Sequence, residues 1–212
     1  IYRGVSSESH PHGYYPDSAW KETFEQQFPG IRNKLILTLP GRITRLKGHA
    51  DFILIMQRLV ESGLSVHGLI VGGATSSKQD YLRELQDQVR DLRMQDHISF
   101  TGERSDLREI LSISNLVLSL SRQPESFGRT TLETLRLGIP AAGYNHGGVA
   151  EILRSAYPQG LLPTNAPEQT IARISSLLVS SPPVPDLELF PLSDMLEQTL
   201  HLYQSLAAEN RP

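Results

Sequence analysis

Two glutamates eight positions apart, Glu125 and Glu133, mark the part of the sequence best suited to chemistry. A Phe-Gly turn lies between them, an apolar run of strand type (residues 115–120) precedes them, and a helical run begins at Arg129. The first N–H groups of a helix have no intrahelical partner, so they can bind a phosphate or a hydroxyl oxygen. The segment can therefore present a loop carboxylate, a row of N–H groups and a helix carboxylate to one small ligand.

The position of Glu133 narrows the kind of ligand. Bound phosphate repels a carboxylate, so we expect Glu133 to face neutral hydroxyls instead. The vicinal hydroxyls of a ribose are the natural partner, as in dinucleotide-binding folds. The plainer alternative is that both glutamates are exposed to solvent, which is the commoner position of this residue.

A basic loop, residues 40–48, is the second candidate site. Gly41 and Gly48 allow the backbone to approach a ligand closely, and Arg42 and Lys47 can reach one anion there. A helix that begins near His49 would add the field of its N-terminus. The Walker spacing is absent, so this is not a P-loop. A solvated basic loop is the alternative.

Three further glycine turns follow apolar runs of strand length. Gly72-Gly73 and Gly102 end two of them, and His146-Gly147-Gly148 follows a third. Each permits close approach to a ligand but is weak evidence alone. His146 would contact a ligand phosphate or cap its turn. His10 and His12 could meet a metal ion, but only adventitiously in a linker.

The overall composition excludes several function classes. The chain has 212 residues, a net charge of −3, a pI of about 6.2 and no basic block, which argues against nonspecific nucleic-acid binding. Without cysteine it can have no disulfide, thiol nucleophile or cysteine metal site. No apolar run approaches the roughly 18 residues of a spanning helix.

Strand-length apolar runs alternate with amphipathic helical runs from residue 34 onward. This alternation predicts an α/β fold with a Rossmann-like, doubly wound parallel sheet of about six strands flanked by helices, because parallel strands need crossovers. Ser105 is the expected N-cap of a short helix. The predicted strands cover residues 34–39, 66–71, 97–101, 116–120, 139–144 and 160–162. Ligands of such sheets bind at the carboxyl ends of the strands, near the point where strand order reverses.

Composition divides the chain into three parts. Residues 1–30, rich in His, Pro, Ser and Gly, are predicted to be a linker with a short helix near residues 18–27. Residues 31–180 form the α/β domain. Residues 181–212 combine a proline-rich break with a final helix near residues 192–207.

Taken in order, these motifs resemble the C-terminal domain of the group-1 retaining glycosyltransferases, which have the two-domain GT-B fold. The resemblance covers residues 31–162. The loop from Gly41 to Gly48 resembles the family's diphosphate-binding loop, and residues 124–133 resemble its two-glutamate signature. The remaining motifs that carry the resemblance are Val71-Gly72-Gly73, Phe100-Thr101-Gly102, Gly138-Ile139-Pro140 and Gly147-Gly148 with Glu151. Residues 1–5 resemble the segment that enters this domain.

The resemblance implies a role for each candidate residue. Arg42, Lys47 and Glu125 would be catalytic: the two cations neutralise the donor diphosphate, and the carboxylate holds hydroxyls of the donor sugar. Glu133 would hold the ribose. The other residues implied at the nucleotide and the donor sugar are Gly41, Gly72, Gly73, Glu103, Arg104, Leu107, Ser126, Phe127, Gly128, Arg129 and Thr130. Two of these residues depart from the pattern of the family. Ser126 stands where the family often has glycine, and Arg129 stands where it often has an aliphatic residue.

The resemblance also implies partners. The expected donor is a nucleotide-diphosphate sugar, with UDP or GDP as the nucleotide, and protein cations are expected to replace a metal ion or other cofactor. An acceptor-binding domain is expected to precede residue 1, so the chain alone would transfer nothing. We expect a cytoplasmic protein, with any contact at the inner face of the membrane made through that preceding domain.

Three alternatives remain open at this stage. The chain could be the nucleotide-binding subunit of a split glycosyltransferase, which neighbouring coding sequence would reveal. A sugar-nucleotide epimerase of GT-B fold would need its own acid and base carboxylates, which the sequence does not identify. A non-catalytic Rossmann-type domain predicts that Arg42, Lys47 and Glu133 do not affect nucleotide affinity.

Overall fold

The strands of the sheet are all parallel and lie in the order β3-β2-β1-β4-β5-β6. The computed structural model describes residues 3–6, 8–186 and 190–209. In chain order the strands are β1 (Leu35–Pro40), β2 (Val66–Val71), β3 (Ile98–Gly102), β4 (Leu116–Ser119), β5 (Ala141–Tyr144) and β6 (Leu161–Leu162). The order reverses between β1 and β4, so the loops that follow these two strands diverge to opposite sides and leave a crevice between them.

Helices cover both faces of the sheet. They are α1 (Ser18–Gln27), α2 (His49–Glu61), α3 (Gln79–Asp91), α4 (Leu107–Ser112), α5 (Arg129–Arg136), α6 (Gly147–Ala156), α7 (Pro167–Val179) and α8 (Leu192–Glu209). Strand β2, next to the edge strand β3, is buried along its whole length, as expected of a parallel strand covered on both faces. On one face the stripe of Phe52, Ile53 and Met56 on α2 is fully buried. Burial of such side chains stabilises the domain by about 1.5–3 kcal/mol each.

The N-terminal segment also packs on the sheet. Phe24 of α1 is 2% exposed and clusters with Ile36, Leu69 and Ile110 on the face opposite α2. Trp20 stacks on Phe24 with ring centroids 4.9 Å apart. Residues 18–27, which fall in the predicted linker, are therefore part of the packed domain.

The final helix differs from the others in how it is packed. Leu196, Leu200 and Tyr203 on α8 are each more than half exposed. The chain reaches α8 beside the N-terminal segment, where the Val5 N–H donates to the Phe190 carbonyl at 3.1 Å. In the part of the chain that the structure describes, no helix is both long and apolar enough to span a bilayer.

The predicted fold class and the alternation of elements are confirmed, with local corrections. Ser105 is not the N-cap of α4: the helix begins at Leu107, and Asp106 occupies the cap position. The fifth strand begins at Ala141 instead of residue 139, and the sixth contains only two residues. Of the N-terminal segment expected to enter the domain, Ile1 and Tyr2 lie outside the described residues.

Gly48 allows the loops after β1 and β4 to lie in contact. Its φ of 74° is in the left-handed region, and a β-carbon added to it would lie 2.1 Å from the Leu120 carbonyl oxygen. Gly63, at the other end of α2, has a similar φ of 86° but nothing within 4 Å of an added β-carbon. An alanine at Gly63 would therefore meet backbone strain alone, whereas an alanine at Gly48 would meet both backbone strain and a steric clash.

We expect Gly48→Ala to lower the free energy of unfolding by about 3 kcal/mol, because left-handed strain adds to a backbone clash. Gly63→Ala should lose about 1 kcal/mol, from the backbone strain alone. Urea denaturation of both variants measures the difference. Equal losses would show that the contact between the two loops is not tight.

Candidate functional site

Lys47 and Glu125 meet above the point where strand order reverses. Lys47 ends a short 3-10 helix (Arg45–Lys47) in the loop after β1, and Glu125 lies in the loop after β4. Their Nζ and Oε1 atoms are 2.7 Å apart, and the side chains are 35% and 25% exposed. The structure thus joins the two sequence motifs through a partly desolvated ion pair.

The Glu125 carboxylate is held in its ionised form. Burial opposes the charge, but hydrogen bonds from Lys47 and from the Ser121 hydroxyl outweigh it, and together they lower the pKa of Glu125 below its ordinary 4.5. The carboxylate therefore remains an acceptor of hydrogen bonds at neutral pH. It is suited to hold hydroxyl groups and not to act as an acid.

Backbone contacts fix the loop that carries Glu125. The Gly148 N–H, in the first turn of α6, donates to the Glu125 carbonyl at 2.8 Å. A β-carbon added to Gly148 would lie 2.4 Å from the Cα of Phe127. Phe127 itself is buried and contacts the Phe190 ring edge to face, with centroids 5.6 Å apart. The loop is thus held by packing against its neighbours before any ligand is present.

The N-terminus of α5 opens beside the ion pair. Gly128 precedes the helix with a φ of 89°, and the N–H groups at the start of the helix lack intrahelical acceptors. Pro40, Lys47, Glu125, Gly128 and Thr130 line a small cavity of about 20 Å³ here. This arrangement can bind an anion, because the helix field and the Lys47 charge act on the same space.

A larger cavity of about 350 Å³ lies on the β2–β3 side. The predicted residues that the structure gathers there are Gly41, Arg42, Gly72, Gly73, Glu103, Arg104 and Leu107. Hydrogen bonds at 2.9 Å close its floor, from the Ile43 N–H to the Gly73 carbonyl and from the Gly72 N–H to the Gly102 carbonyl. Its size suits a planar heterocycle better than a phosphate.

Arg104 is anchored at the edge of this cavity. Its Nη2 and Nε atoms lie 2.6 and 2.8 Å from the two carboxylate oxygens of Asp106. Hydrogen bonds from Arg104 and from Trp20 hold the pKa of Asp106 below its usual value, despite the opposing effect of burial. Trp20 in turn ties this pair to α1. Arg104 Nη1 also donates to Gln27 Oε1 at 3.1 Å, and the guanidinium lies over the Phe24 ring, so the side chain is fixed against α1.

Four predicted residues line neither cavity: the buried Phe127, and Ser126, Arg129 and Glu133. Glu133 is 7% exposed, and its Oε1 accepts a hydrogen bond from Arg129 Nε at 2.7 Å. Arg129 is largely exposed, and Ser126 is exposed as well. Glu133 is thus not the solvated helix residue of the plainer alternative. Its assignment to a ribose stays a prediction.

Arg42 and Lys47 do not face the same cavity. Arg42 lines the larger one, whereas Lys47 points to Glu125 across the smaller one. Gly41 lies between them, and a β-carbon added to it would be 3.5 Å from the Lys47 Cδ atom. A ligand that contacts both cations would have to extend across Gly41.

Comparison with known proteins identifies the family of this chain. The sequence matches the family described as "Glycosyl transferases group 1" over residues 21–187. The chain belongs to this family. It is 31% identical over 145 residues to the mannosylfructose-phosphate synthase of Agrobacterium fabrum, a stretch that covers 64% of this chain and 31% of that enzyme.

Solved structures agree on the fold. A glycosyltransferase from Rickettsia africae matches with a TM-score of 0.80 at 20% identity, over 99% of this chain and 57% of that one. Anabaena Alr3699/HepE, solved in complex with UDP and glucose, matches with a TM-score of 0.77 at 21% identity, over 97% and 56% of the two chains. The chain therefore spans about half the length of these proteins.

Sequence reasoning missed Ser121 and gave His146 a different role. Ser121, directly after β4, donates to Glu125, and His146 Nε2 donates to the Ser121 carbonyl at 2.8 Å. His146 thus braces the loop and does not merely cap its own turn. The rule that placed Glu125 after a strand end applies equally to Ser121, so its position was the available signal.

Within residues 3–6, 8–186 and 190–209, no three His, Asp or Glu side chains gather as a metal site would require. His10 instead contacts the Ser9 hydroxyl through Nδ1 at 2.9 Å. His12 Nε2 lies 3.2 Å from the Val184 carbonyl. His10 and His12 therefore each have a partner within the protein.

The ion pair makes a prediction about titration. Carbon-detected NMR should give a Glu125 pKa below 4.5, and Lys47→Met should raise it, because burial then acts without its main counterweight. Since the folded pKa is the lower one, this stabilisation is present above about pH 4.5 and is lost as pH falls through the folded value. Arg45→Met is the matched control, since Arg45 pairs with Glu84 instead. A pKa that does not respond to Lys47→Met contradicts the pairing.

Proposed function

We propose that this chain is the donor-binding domain of a retaining glycosyltransferase that moves a hexose from a nucleotide-diphosphate sugar to an acceptor. The observation that carries the proposal is the Lys47–Glu125 pair at the strand-order reversal, between the N-terminus of α5 and the larger cavity. This arrangement combines groups suited to an anion, a hydroxylated ring and a heterocycle within one crevice.

The diphosphate occupies the centre of the proposed site. As the sugar leaves, the bond from its anomeric carbon to the phosphate oxygen breaks, and negative charge grows on the nucleotide diphosphate. Lys47, Arg42 and the N–H groups at the start of α5 are placed to stabilise that charge. We propose that these protein groups act without a metal ion.

The donor sugar lies over the loop after β4 in this proposal. Glu125 is ionised and accepts hydrogen bonds, so it holds sugar hydroxyls, while the backbone from Ser126 to Thr130 completes the cradle. The packing of Gly148 against Phe127 supports this role, because a preformed loop loses little entropy when the ligand binds.

The nucleoside lies toward β2 and β3. The cavity bordered by Glu103, Arg104 and Leu107 has room for a base, and Gly72 and Gly73 let the ligand approach the backbone. Arg129 uses Oε1 of Glu133, so we assign the ribose hydroxyls to Oε2. The donor is proposed to carry UDP or GDP, and the UDP bound to the similar Anabaena protein supports UDP.

The main part of the acceptor site is proposed to come from a second domain of the same protein. The chain spans about half of the similar solved structures, and its crevice opens at one end of the sheet. The mannosylfructose-phosphate synthase is also longer than this chain, since the matched stretch covers only 31% of that enzyme. The proposal is therefore that this chain binds donor but transfers no sugar alone.

Nucleotide titration tests the donor site. We expect UDP or GDP to bind, and Lys47→Ala and Glu133→Ala each to weaken that binding by about tenfold, because each removes a charged partner. ADP is the third nucleotide to be compared by calorimetry. Arg45→Ala, two positions from Lys47, should leave the affinity unchanged because its guanidinium faces Glu84. Equal affinities in all variants would favour the non-catalytic Rossmann-type domain.

A second experiment tests the need for another domain. The 212-residue chain, incubated with UDP-glucose or GDP-mannose and mixed sugar acceptors, should release no nucleotide above a protein-free control. Its binding of the same nucleotides by calorimetry shows that it is folded. Full sugar transfer by the chain alone would contradict this part of the proposal and leave donor binding intact.

A further inference from the structure

A polar cavity of about 580 Å³ lies beyond the candidate site, on the side away from the proposed base cavity. It opens where β5 and β6 end. Its lining includes Asp51, Arg122, Tyr144, Asn145, His146 and Asn165. The proposed donor site does not account for these residues, and of them only His146 belongs to a sequence motif described above.

An apolar recess continues this cavity. A second space of about 340 Å³ shares Asp51 and Tyr144 with it and is bordered by Leu54, Ile55 and Ile171. Leu54 is 47% exposed, so this recess reaches the surface. The combined space therefore has one side with hydrogen-bonding groups and one apolar side.

Short links join the polar cavity to the candidate site. The Arg122 N–H donates at 2.8 Å to the carbonyl of Leu46, which precedes Lys47. His146 donates to the Ser121 carbonyl, and the Ser121 hydroxyl donates to Glu125. A ligand in the cavity would thus contact residues that directly support the Lys47–Glu125 pair.

Among the residues that line the cavity, the charges of Arg122 and Asp51 form one matched pair. Arg122 binds Asp51 through two hydrogen bonds, with Nη2 to Oδ1 at 2.6 Å and Nε to Oδ2 at 3.0 Å. A guanidinium used in this way is a poor receptor for a phosphate, because its fork already holds a carboxylate. The cavity therefore favours an uncharged ligand over an anion.

The remaining groups suit hydroxyls on a ring. The amide of Asn165 can both donate and accept, as hydroxyl groups do. Asn145 can donate through Nδ2, while its Oδ1 accepts from Arg154 Nη2 at 2.6 Å. Burial, reinforced by the charge of Asp51, raises the pKa of Tyr144 to about 12, so its phenol stays neutral. The hydroxyl donates to Asp51 Oδ2 at 3.5 Å, and its oxygen can accept a hydrogen bond from a ligand. Its half-buried ring adds an apolar surface beside these polar groups.

We infer that this cavity binds an uncharged polyhydroxylated ring, a monosaccharide or cyclitol unit, that belongs to the acceptor. The inference rests on the proposed function, because the cavity is assigned to the acceptor from its position next to the proposed donor site. The base cavity lies over β2 and β3, the ion pair over β1 and β4, and this cavity over β5 and β6. The order along the sheet edge puts the acceptor ring beyond the donor sugar.

Saturation-transfer NMR on the 212-residue chain tests the inference. The probes are methyl α-glucoside, methyl α-mannoside, N-acetylglucosamine and myo-inositol, each with and without UDP. We expect transfer to at least one probe and no competition from UDP. Asn165→Ala and Tyr144→Ala should each reduce the signal by about fivefold or more through lost contacts. Gln86→Ala, exposed on α3 near the opposite sheet edge, should not.

The outcomes separate this inference from the proposed function. Intact UDP binding without transfer to any probe overturns the acceptor subsite alone, whereas loss of both overturns the proposed function too. A probe excluded by UDP-glucose but not by UDP would place the donor's hexose in the cavity, which overturns the acceptor assignment. Shifts of the Arg122 side-chain resonances by inorganic phosphate, with none from the probes, would make it an anion site. Asn165 is exposed, so its variant stays informative if Tyr144→Ala fails to fold.

Discussion

The contact between Lys47 and Glu125 is the interaction on which the rest of the site depends. These residues come from loops that leave adjacent strands in opposite directions, so nothing in the local chain would keep them together. Their ion pair is partly shielded from water, which strengthens it beyond an exposed pair of the same length. Ser121 and His146 extend it into a chain of hydrogen bonds that reaches the loop after β5.

This interaction divides the carboxyl edge of the sheet into regions of different chemistry. On one side lies a cavity with a glycine floor and Glu103 at its border, and on the other lies the cavity with the Asp51–Arg122 pair. The central region has a cation, a carboxylate and a helix N-terminus within one small space. The three regions along the edge therefore differ in the chemical groups that they can accept from a ligand.

Much of this architecture follows from patterns within the sequence. The apolar run of residues 66–71 is the strand β2 itself, because a strand buried on both faces needs no alternation. Glu125 and Lys47 were identified because each follows a strand that ends at the same sheet edge. Features that depend on tertiary contacts could not be predicted from the sequence. Nothing near Glu133 in the sequence reveals its burial, which follows from the packing of α5, although Arg129 stands one helical turn before it.

The cavity beyond β5 illustrates the same limit. Asp51 and Arg122 are 71 positions apart, and neither lies in a recognisable motif. Their contact depends on how α2 packs beside the loop after β4. Likewise, Ser105 and Asp106 are both common N-cap residues, and local propensity does not choose between them. The bidentate hydrogen bonds of Asp106 with Arg104 identify its position only in the folded chain.

The close contact between Gly148 and Phe127 has a consequence for genetic studies of this protein. Any side chain at position 148 would push the neighbouring loop away, although glycine itself offers a ligand no functional group. Under the proposed function, a mutational scan of the full-length protein scored by activity would therefore rank Gly148 beside Lys47 and Glu125. Scoring the same library for both protein abundance and nucleotide binding would distinguish them, since a loop spacer and a ligand contact fail in different ways.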